Sequence, residues 1–383
     1  MSVTYARGFG AAAASAGFKE SGRPDLGLLV CDGPGTAAGA FTTNAFPAAP
    51  VTLTMSHLVG GRARVVLVNS GQANAGTGDE GLEDASTMAS GAAAALGCAE
   101  EDVLVCSTGV IGPRVPLGRF RAALPKLAAG LSADGGDAFA EAICTTDTRI
   151  KTATADAGQH RVGGCAKGAG MIAPRLATLL AFVTTDAPAP PDVLRRIVNE
   201  RAIPVWNGLV VDGCQSTNDT VLLLSSGAAG GDVDETALGD AVESVMRSLA
   251  RQVAADAEGA TKTIVVQVDG ATDPVSARAV GLAVAGSDLV KTAVFGSDPN
   301  PGRILQAAGD AAVVVDPSRF RSSIGDIPVI EGGVVLQATD PKRALDGPEV
   351  LVAIDLGVGD ASATVFGCDL SYDYVRINAE YST

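Results

Sequence analysis

Short β-branched runs alternating with helix-length segments predict a mixed α/β fold, of the α/β or α+β kind. Two patterns and one length carry that expectation. ARVVLVNS (63–70), DVLVCSTG (102–109), TIVVQVDG (263–270) and VLVAIDLG (350–357) are runs of Val, Leu and Ile closed by turn residues, which read as strands. In TALGDAVESVMRSLARQV (236–253), Leu238, Val242, Val245, Leu249 and Val253 recur at steps of four, three, four and four, one apolar helix face. The 383 residues suggest two domains, or one large one, at about 150 residues each.

The other elements follow along the chain. LEDASTMASGAAAALG (82–97) is rich in helix formers and ends in Gly, a helix with its stop. ADAGQHRVGG reads as a hairpin turn around His160, and TMSHLVGG around His57 as a loop, so both imidazoles are expected at the surface. LLAFV (179–183) reads as a buried strand. TTDAPAPPDV (184–193) is a proline-rich connection, either a surface loop or a domain boundary, and PDVLRRIVNER (191–201) opens a helix on Pro-Asp. STNDT (216–220) and GSDPNPGR (296–303) look like turns, AEGATK (257–262) like a helix start and YVRINAEYST (374–383) like a tail.

Composition excludes several function classes. With 28 basic and 43 acidic residues the net charge is −15, which argues against a nucleic-acid binder, because phosphate neutralisation needs a basic footprint. No apolar run approaches the roughly 18 residues of a membrane span. MSVTYARGFG lacks the charged-then-apolar layout of a signal peptide, so a cytosolic protein is expected. The seven cysteines are odd in number and form no C-x-x-C pair, so neither a disulfide framework nor a structural zinc site is expected. Most, including Cys31, Cys106 and Cys165, read as small buried hydrophobes. Only two histidines exist, so a histidine-based nucleophile would have to use His57 or His160.

One nucleophile needs no histidine. In KGAGMIAPRLATLLAFVTTDA (167–187), a chain break before Thr178 would place a hydroxyl and a new α-amine on the same residue. An α-amine has a pKa of about 7.7–8.0 and can serve as a base near neutral pH. The alternative is a structural threonine opening a buried strand. CSTGVIG (106–112) follows a strand; it is a strand-to-helix turn, or an oxyanion hole of the Gly109 amide and the Thr108 hydroxyl. VNSGQANAGTG (68–78) is Gly-rich but has no Gly-Lys-Ser/Thr ending, so it is not a P-loop.

Taken together, these segments resemble the ornithine acetyltransferase (ArgJ), or glutamate N-acetyltransferase, family. The residues that carry the resemblance are KGAGMIAPRLATLL (167–180), STGVIG (107–112), AICTTDT (142–148), STNDT (216–220), EGATK (258–262) and YVRINAEY (374–381), spread in order over nearly the whole chain. The resemblance implies a layered α-β-β-α sandwich that cleaves itself between Ala177 and Thr178. An α chain (1–177) and a β chain (178–383) would then share one continuous fold, and two of each would assemble. It implies acetyl transfer from N2-acetylornithine to glutamate through an acetyl-Thr178 ester, with no bound cofactor or metal and with acetyl-CoA as a possible second donor. By position Thr108 and Gly109 form the oxyanion hole, and Thr145, Lys167, Thr178, Glu258, Asn378 and Thr383 contact substrate. Pro301, Gly76, Cys214 and Gln215 depart from the family pattern and bear on substrate fit. Three other readings stay open: an amidase or aminopeptidase with the same N-terminal threonine, a related acetyltransferase of a specialised pathway, and a metabolite-binding protein without the chemistry.

Overall fold

The computed structural model describes residues 2–173, 179–338 and 340–380. An eight-stranded sheet is built from β1 (Phe9–Ala14), β2 (Leu26–Phe41), β3 (Arg62–Gln72), β4 (Val103–Val110), β5 (Lys151–Ala157), β6 (His160–Lys167), β7 (Leu180–Thr185) and β8 (Thr220–Ser225). Its order is β4-β3-β2-β8-β7-β6-β5, with β1 also on β2. A second sheet, in the order β12-β11-β10-β13-β9-β14, uses β9 (Thr263–Ala271), β10 (Arg321–Ile324), β11 (Ile327–Glu331), β12 (Val334–Val335), β13 (Glu349–Asp355) and β14 (Ala361–Cys368). Pairs β3·β4, β7·β8 and β9·β13 are parallel and the rest antiparallel, a mixed α/β arrangement. Parallel strands covered on both faces read as continuous apolar runs, which is why 63–70, 102–109 and 263–270 were legible.

Helices cover these sheets. On the first lie α1 (Ala49–His57), α2 (Gly78–Leu96), α3 (Leu117–Ala129), α4 (Gly136–Ala142), α5 (Pro191–Ile197) and α7 (Glu235–Ala255), with α6 (Ile203–Trp206) packed on α7. The second carries α8 (Pro274–Ala285), with α9 (Asp288–Phe295) and α10 (Pro301–Gly309) packed beside it, and α11 (Tyr372–Glu380) ends the described chain. The α7 stripe Leu238, Val242, Val245, Leu249 and Val253 is fully buried, and Asp234 caps its N-terminus by accepting from the Thr236 and Ala237 amides at 3.0 Å. It packs on β5, β6 and β14, so one helix ties the two sheets. Among the described residues no helix is long and apolar enough to cross a membrane.

Several local expectations need correction. His57 is not in a loop but closes α1, with Nδ1 2.8 Å from the Val103 carbonyl. His160 does border the β5–β6 hairpin, yet it is buried, with Nε2 3.0 Å from the Gly230 carbonyl. The 184–193 connection is no domain boundary: Ala187 and Ala189 are buried in the same core as α7. The helix from 191 runs past 201 as a π-helical turn, Val198–Ala202, and then α6. Pro204 has no amide to give the preceding turn, which accounts for the widening. Residues 257–262 form turns rather than a helix start. GSDPNPGR holds the first turn of α10, with Pro301 in its first-turn position. Residues 374–380 are helical rather than a loose tail.

Candidate active site

β3 and β4 run in parallel register, Ser70 beside Thr108 and Gly71 beside Gly109. Gly109 holds φ at +129°, a conformation that strains an L side chain, and a Cβ there would lie 2.3 Å from the Gly71 carbonyl carbon. Only glycine permits this approach. Thr108 is 5% exposed. The peptide before it is fixed by Asn218, whose Nδ2 donates to the Ser107 carbonyl at 2.9 Å and the Ala73 carbonyl at 2.6 Å. Ser107 Oγ in turn donates to Asn69 Oδ1 at 2.5 Å.

Lys167 ends β6, pairs with Leu180 of β7, and donates Nζ to Thr108 Oγ1 at 3.3 Å. The oxyanion candidate therefore meets the entry of β7. Asp219 Oδ1 accepts from the Leu179 amide at 3.0 Å, and Thr220 N donates to the Leu179 carbonyl at 3.1 Å. Asp219 is fully buried, and burial drives its carboxyl well above the usual carboxylate range despite the Leu179 amide and the Lys167 charge. On the upstream side Asp212 accepts from the Met171 amide at 2.6 Å and the Ile172 amide at 2.8 Å. Met171 holds φ at +57°, uncommon for a side-chain-bearing residue. Carboxylates thus anchor the chain on both sides of 174–178. Ala177, Thr178 and Pro174 lie outside the described residues, as does Thr383.

A buried ionic network links the remaining candidates. Asp147 accepts from the Thr145 amide at 3.0 Å, the Gly168 amide at 2.8 Å and Lys151 Nζ at 2.6 Å. Burial alone would raise the Asp147 carboxyl; Lys167, Lys151 and the Gly168 amide more than offset it and hold it far below the usual range. Lys151 Nζ also donates to Asp256 at 2.6 Å, at the start of the turn bearing Glu258. The Glu258 amide donates to the Ala169 carbonyl at 2.8 Å, and a Cβ on Gly170 would lie 2.4 Å from a Glu258 carboxylate oxygen. Asn378 Nδ2 donates to Glu258 Oε2 at 3.0 Å. The structure therefore brings Thr108, Gly109, Thr145 and Lys167 together, and attaches Glu258 and Asn378 through 168–170. A cavity of about 800 Å³ has Gly71, Gln72, Gly109, Val110, Thr145 and Thr146 among its lining residues.

Other nucleophile systems are far from this cavity or inert. His57 contacts Val103, five residues and about 16 Å of strand from Thr108. All seven thiols titrate above their ordinary value, burial being the largest cause, so none is poised as a thiolate. Asp147, Asp212, Asn218 and Asp219 escape sequence reasoning as individuals. Their only signal is membership of the TTDT and STNDT motifs, or for Asp212 a place just before the second. Of the departures, Gly76 has φ +67°, where cysteine would be strained. Cys214 is exposed, its amide donating to Asp212 at 3.0 Å.

Comparison with known proteins gives a consistent outcome. The model of the ArgJ family matches residues 10–383. The Geobacter sulfurreducens protein named arginine biosynthesis bifunctional protein ArgJ is 45% identical over 390 residues, covering 98% of this chain and 99% of that one. A protein of the same name from Thermus thermophilus is 46% identical over 388 residues and 100% of both chains. The crystal structure of the arginine biosynthesis bifunctional protein ArgJ from Bacillus halodurans matches at 34% identity and TM-score 0.50. It covers 53% of this chain and 98% of the solved one.

Proposed function

The chain belongs to the ArgJ family, and from that premise we propose that it moves the acetyl group of N2-acetylornithine to glutamate through an ester on Thr178. It is an acyltransferase of arginine biosynthesis. The observation that carries the residue assignment is the anchoring of Leu179 by Asp219 beside the Lys167–Thr108 contact. That anchoring supports a nucleophile one residue upstream, next to the Thr108–Gly109 hole.

The chain first cuts itself. The Thr178 hydroxyl attacks the Ala177 carbonyl, the C–N bond breaks to an ester and a free α-amine, and water hydrolyses the ester. The α chain 1–177 and β chain 178–383 then share the eight-stranded sheet, β1–β6 from the first and β7–β8 from the second. The solved Bacillus chain supports the division: 53% of 383 residues is about 203, close to the 206 of a β chain. Two α and two β chains assemble in the cytoplasm.

In the mature enzyme the Thr178 α-amine takes the hydroxyl proton as Oγ attacks the acetyl carbonyl. The Gly109 amide and the Thr108 hydroxyl stabilise the oxyanion, Lys167 holding the Thr108 side chain in place. The amine returns the proton to departing ornithine. Glutamate then attacks the acetyl ester by its α-amine and leaves as N-acetylglutamate. Lys167 pairs with a substrate carboxylate and Glu258 with a cationic amine, while Thr145, Asn378 and Thr383 supply neutral hydrogen bonds. Acetyl-CoA can load the same hydroxyl. No metal or bound cofactor takes part in this scheme. Intact mass with N-terminal sequencing, followed by acetylornithine–glutamate exchange with and without acetyl-CoA, tests it. A fragment beginning at Thr178 and ping-pong exchange are expected; an uncut chain, or mainly free acetate with glutamate present, overturns it.

A further inference from the structure

Two basic side chains, Lys19 and Arg119, line the cavity that Gly109 and Thr145 also line, and have no role in the scheme above. Lys19 Nζ donates to the Pro24 carbonyl at 2.8 Å and the Ala142 carbonyl at 3.3 Å, and Arg119 Nη1 to the Gly17 carbonyl. Carbonyls satisfy their hydrogens without cancelling their charge. Among the described residues neither cation has a carboxylate within ion-pair distance, whereas Arg114, Arg196 and Arg251 all do. In a chain with net charge −15, two cations in one cavity with no direct ion pair need a reason, the buried Asp25 carboxylate acting on Lys19 only from beyond ion-pair distance. Burial pulls Lys19 down to about 8, with Arg23 and Lys167 adding to the fall and Asp25 opposing it, so it still carries charge at neutral pH.

This lining is also built rather than incidental. Asp25, fully buried, accepts from the amides of Ala16 at 2.6 Å, Phe18 at 2.5 Å and Lys19 at 3.1 Å. Arg119 closes the same turn from α3 through Gly17. The turn and its carbonyls thus hold the two cations in place in the cavity that Gly109 also lines. Glu20 is the one acidic residue among the lining groups, and it is exposed.

Resting on the function proposed above, the two half-reactions handle opposite side chains: the donor ends in an ammonium, the acceptor in a carboxylate. Glu258 does not line this cavity. We infer that Lys19 and Arg119 form an anion subsite in the catalytic cavity, which takes the remote anionic group of a substrate. The shared chemistry is a carboxylate or phosphate oxyanion, from the side chain of an acidic acceptor or from a nucleotide-bearing acyl thioester. The subsite attracts that group, while a cationic side chain is repelled and left to Glu258.

The test uses cut, purified enzyme as the parent, Lys19→Met, Arg119→Gln, the double variant and Lys19→Arg. KM and kcat are measured with acetylornithine as donor and glutamate or glutamine as acceptor, and with acetyl-CoA against acetyl-pantetheine, which lacks the nucleotide phosphates. Loss of charged hydrogen bonds predicts a roughly 10- to 100-fold rise in KM for the anionic substrate in the double variant, with kcat changed far less. Lys19→Arg should restore most of the effect. A lost preference for glutamate over glutamine identifies the carboxylate as source; a lost preference for acetyl-CoA over acetyl-pantetheine identifies the phosphate. Arg119 is exposed, so its single variant keeps the test open if the double variant misfolds. KM values within about twofold of the parent for every anionic substrate would overturn the inference, taking twofold (~0.4 kcal/mol) as below a charged hydrogen bond. A parent that neither cuts nor exchanges acetyl would instead mark failure of the underlying function.

Discussion

Replacing Gly109 by alanine probes the oxyanion hole with a displacement that the structure sets. The new Cβ would stand 2.3 Å from the Gly71 carbonyl carbon, 2.4 Å from its oxygen and 2.8 Å from the Gln72 amide nitrogen. Real Cβ contacts stop near 3.0 Å, so β3 and β4 must part by about 0.7 Å at this point. Neither strand yields freely. Asn218 fixes the Ser107 and Ala73 carbonyls, and the Phe18 carbonyl stands close behind Gly71. The φ of +129° adds strain of about 1–3 kcal/mol. A shift approaching 1 Å in a positioned group can cost about 10² in rate, and loss of one oxyanion donor about 10²–10³. Gly109→Ala should therefore lower kcat for acetyl exchange by roughly 10²–10³ and slow fragment formation, since both reactions use the same hole. Gly112→Ala is the control, with φ +108° and nothing within 4 Å of its Cβ. It carries the strain without the clash and should leave the rate within about threefold of the parent, as befits an exposed position. A Gly109→Ala enzyme that cuts and turns over like Gly112→Ala would refute the placement.

Other outcomes follow from the same geometry. Asp219→Asn keeps an acceptor for the Leu179 amide and should stay active within about tenfold, while Asp219→Ala should cut and turn over more slowly than that. The Asp219 pKa is raised on folding, so its contribution is favourable at low pH and is lost as pH climbs above the ordinary carboxylate range. Asp219→Asn should then gain melting temperature over the parent at pH 8 and lose that advantage near pH 4; equal differences at both values would show that the buried carboxyl carries no such cost. Asp147 has the opposite sign: its lowered pKa gives stability that is present above the carboxylate range and lost on acidification. Asp147→Asn should flatten the fall in melting temperature between pH 5 and pH 3 and cost about 1–3 kcal/mol at pH 7, seen by denaturant titration.

The fold was largely legible because its core strands are apolar for their whole length and α7 carries an unbroken stripe. What escaped depends on partners distant in sequence. Residues 372–380 bury no side chain of their own, so no pattern announces α11; the Asn378–Glu258 bond, spanning 120 residues, ties it to the site. His160 shows a hairpin turn in sequence, but its burial follows from the loop at Gly230. Asp219 and Asp147 look like turn residues, and Asp147 does accept from Thr145 two positions away, but the Leu179 and Gly168 amides they also hold lie 40 and 21 positions away. The candidate site was legible through the ordered motifs, not through any single residue. TTDT and STNDT pointed to the right places, but which side chain in each holds the chain and which faces substrate needed coordinates.

The central claim is that acetyl passes through the hydroxyl of a threonine freed by self-cleavage. The direct measurement is peptide mass spectrometry of enzyme quenched with acetylornithine and no acceptor. The account predicts a fragment beginning at Thr178 that carries one acetyl group on that residue, lost within a turnover when glutamate is added. An uncut chain, or a cut chain acetylated elsewhere or not at all while exchange proceeds, would contradict it.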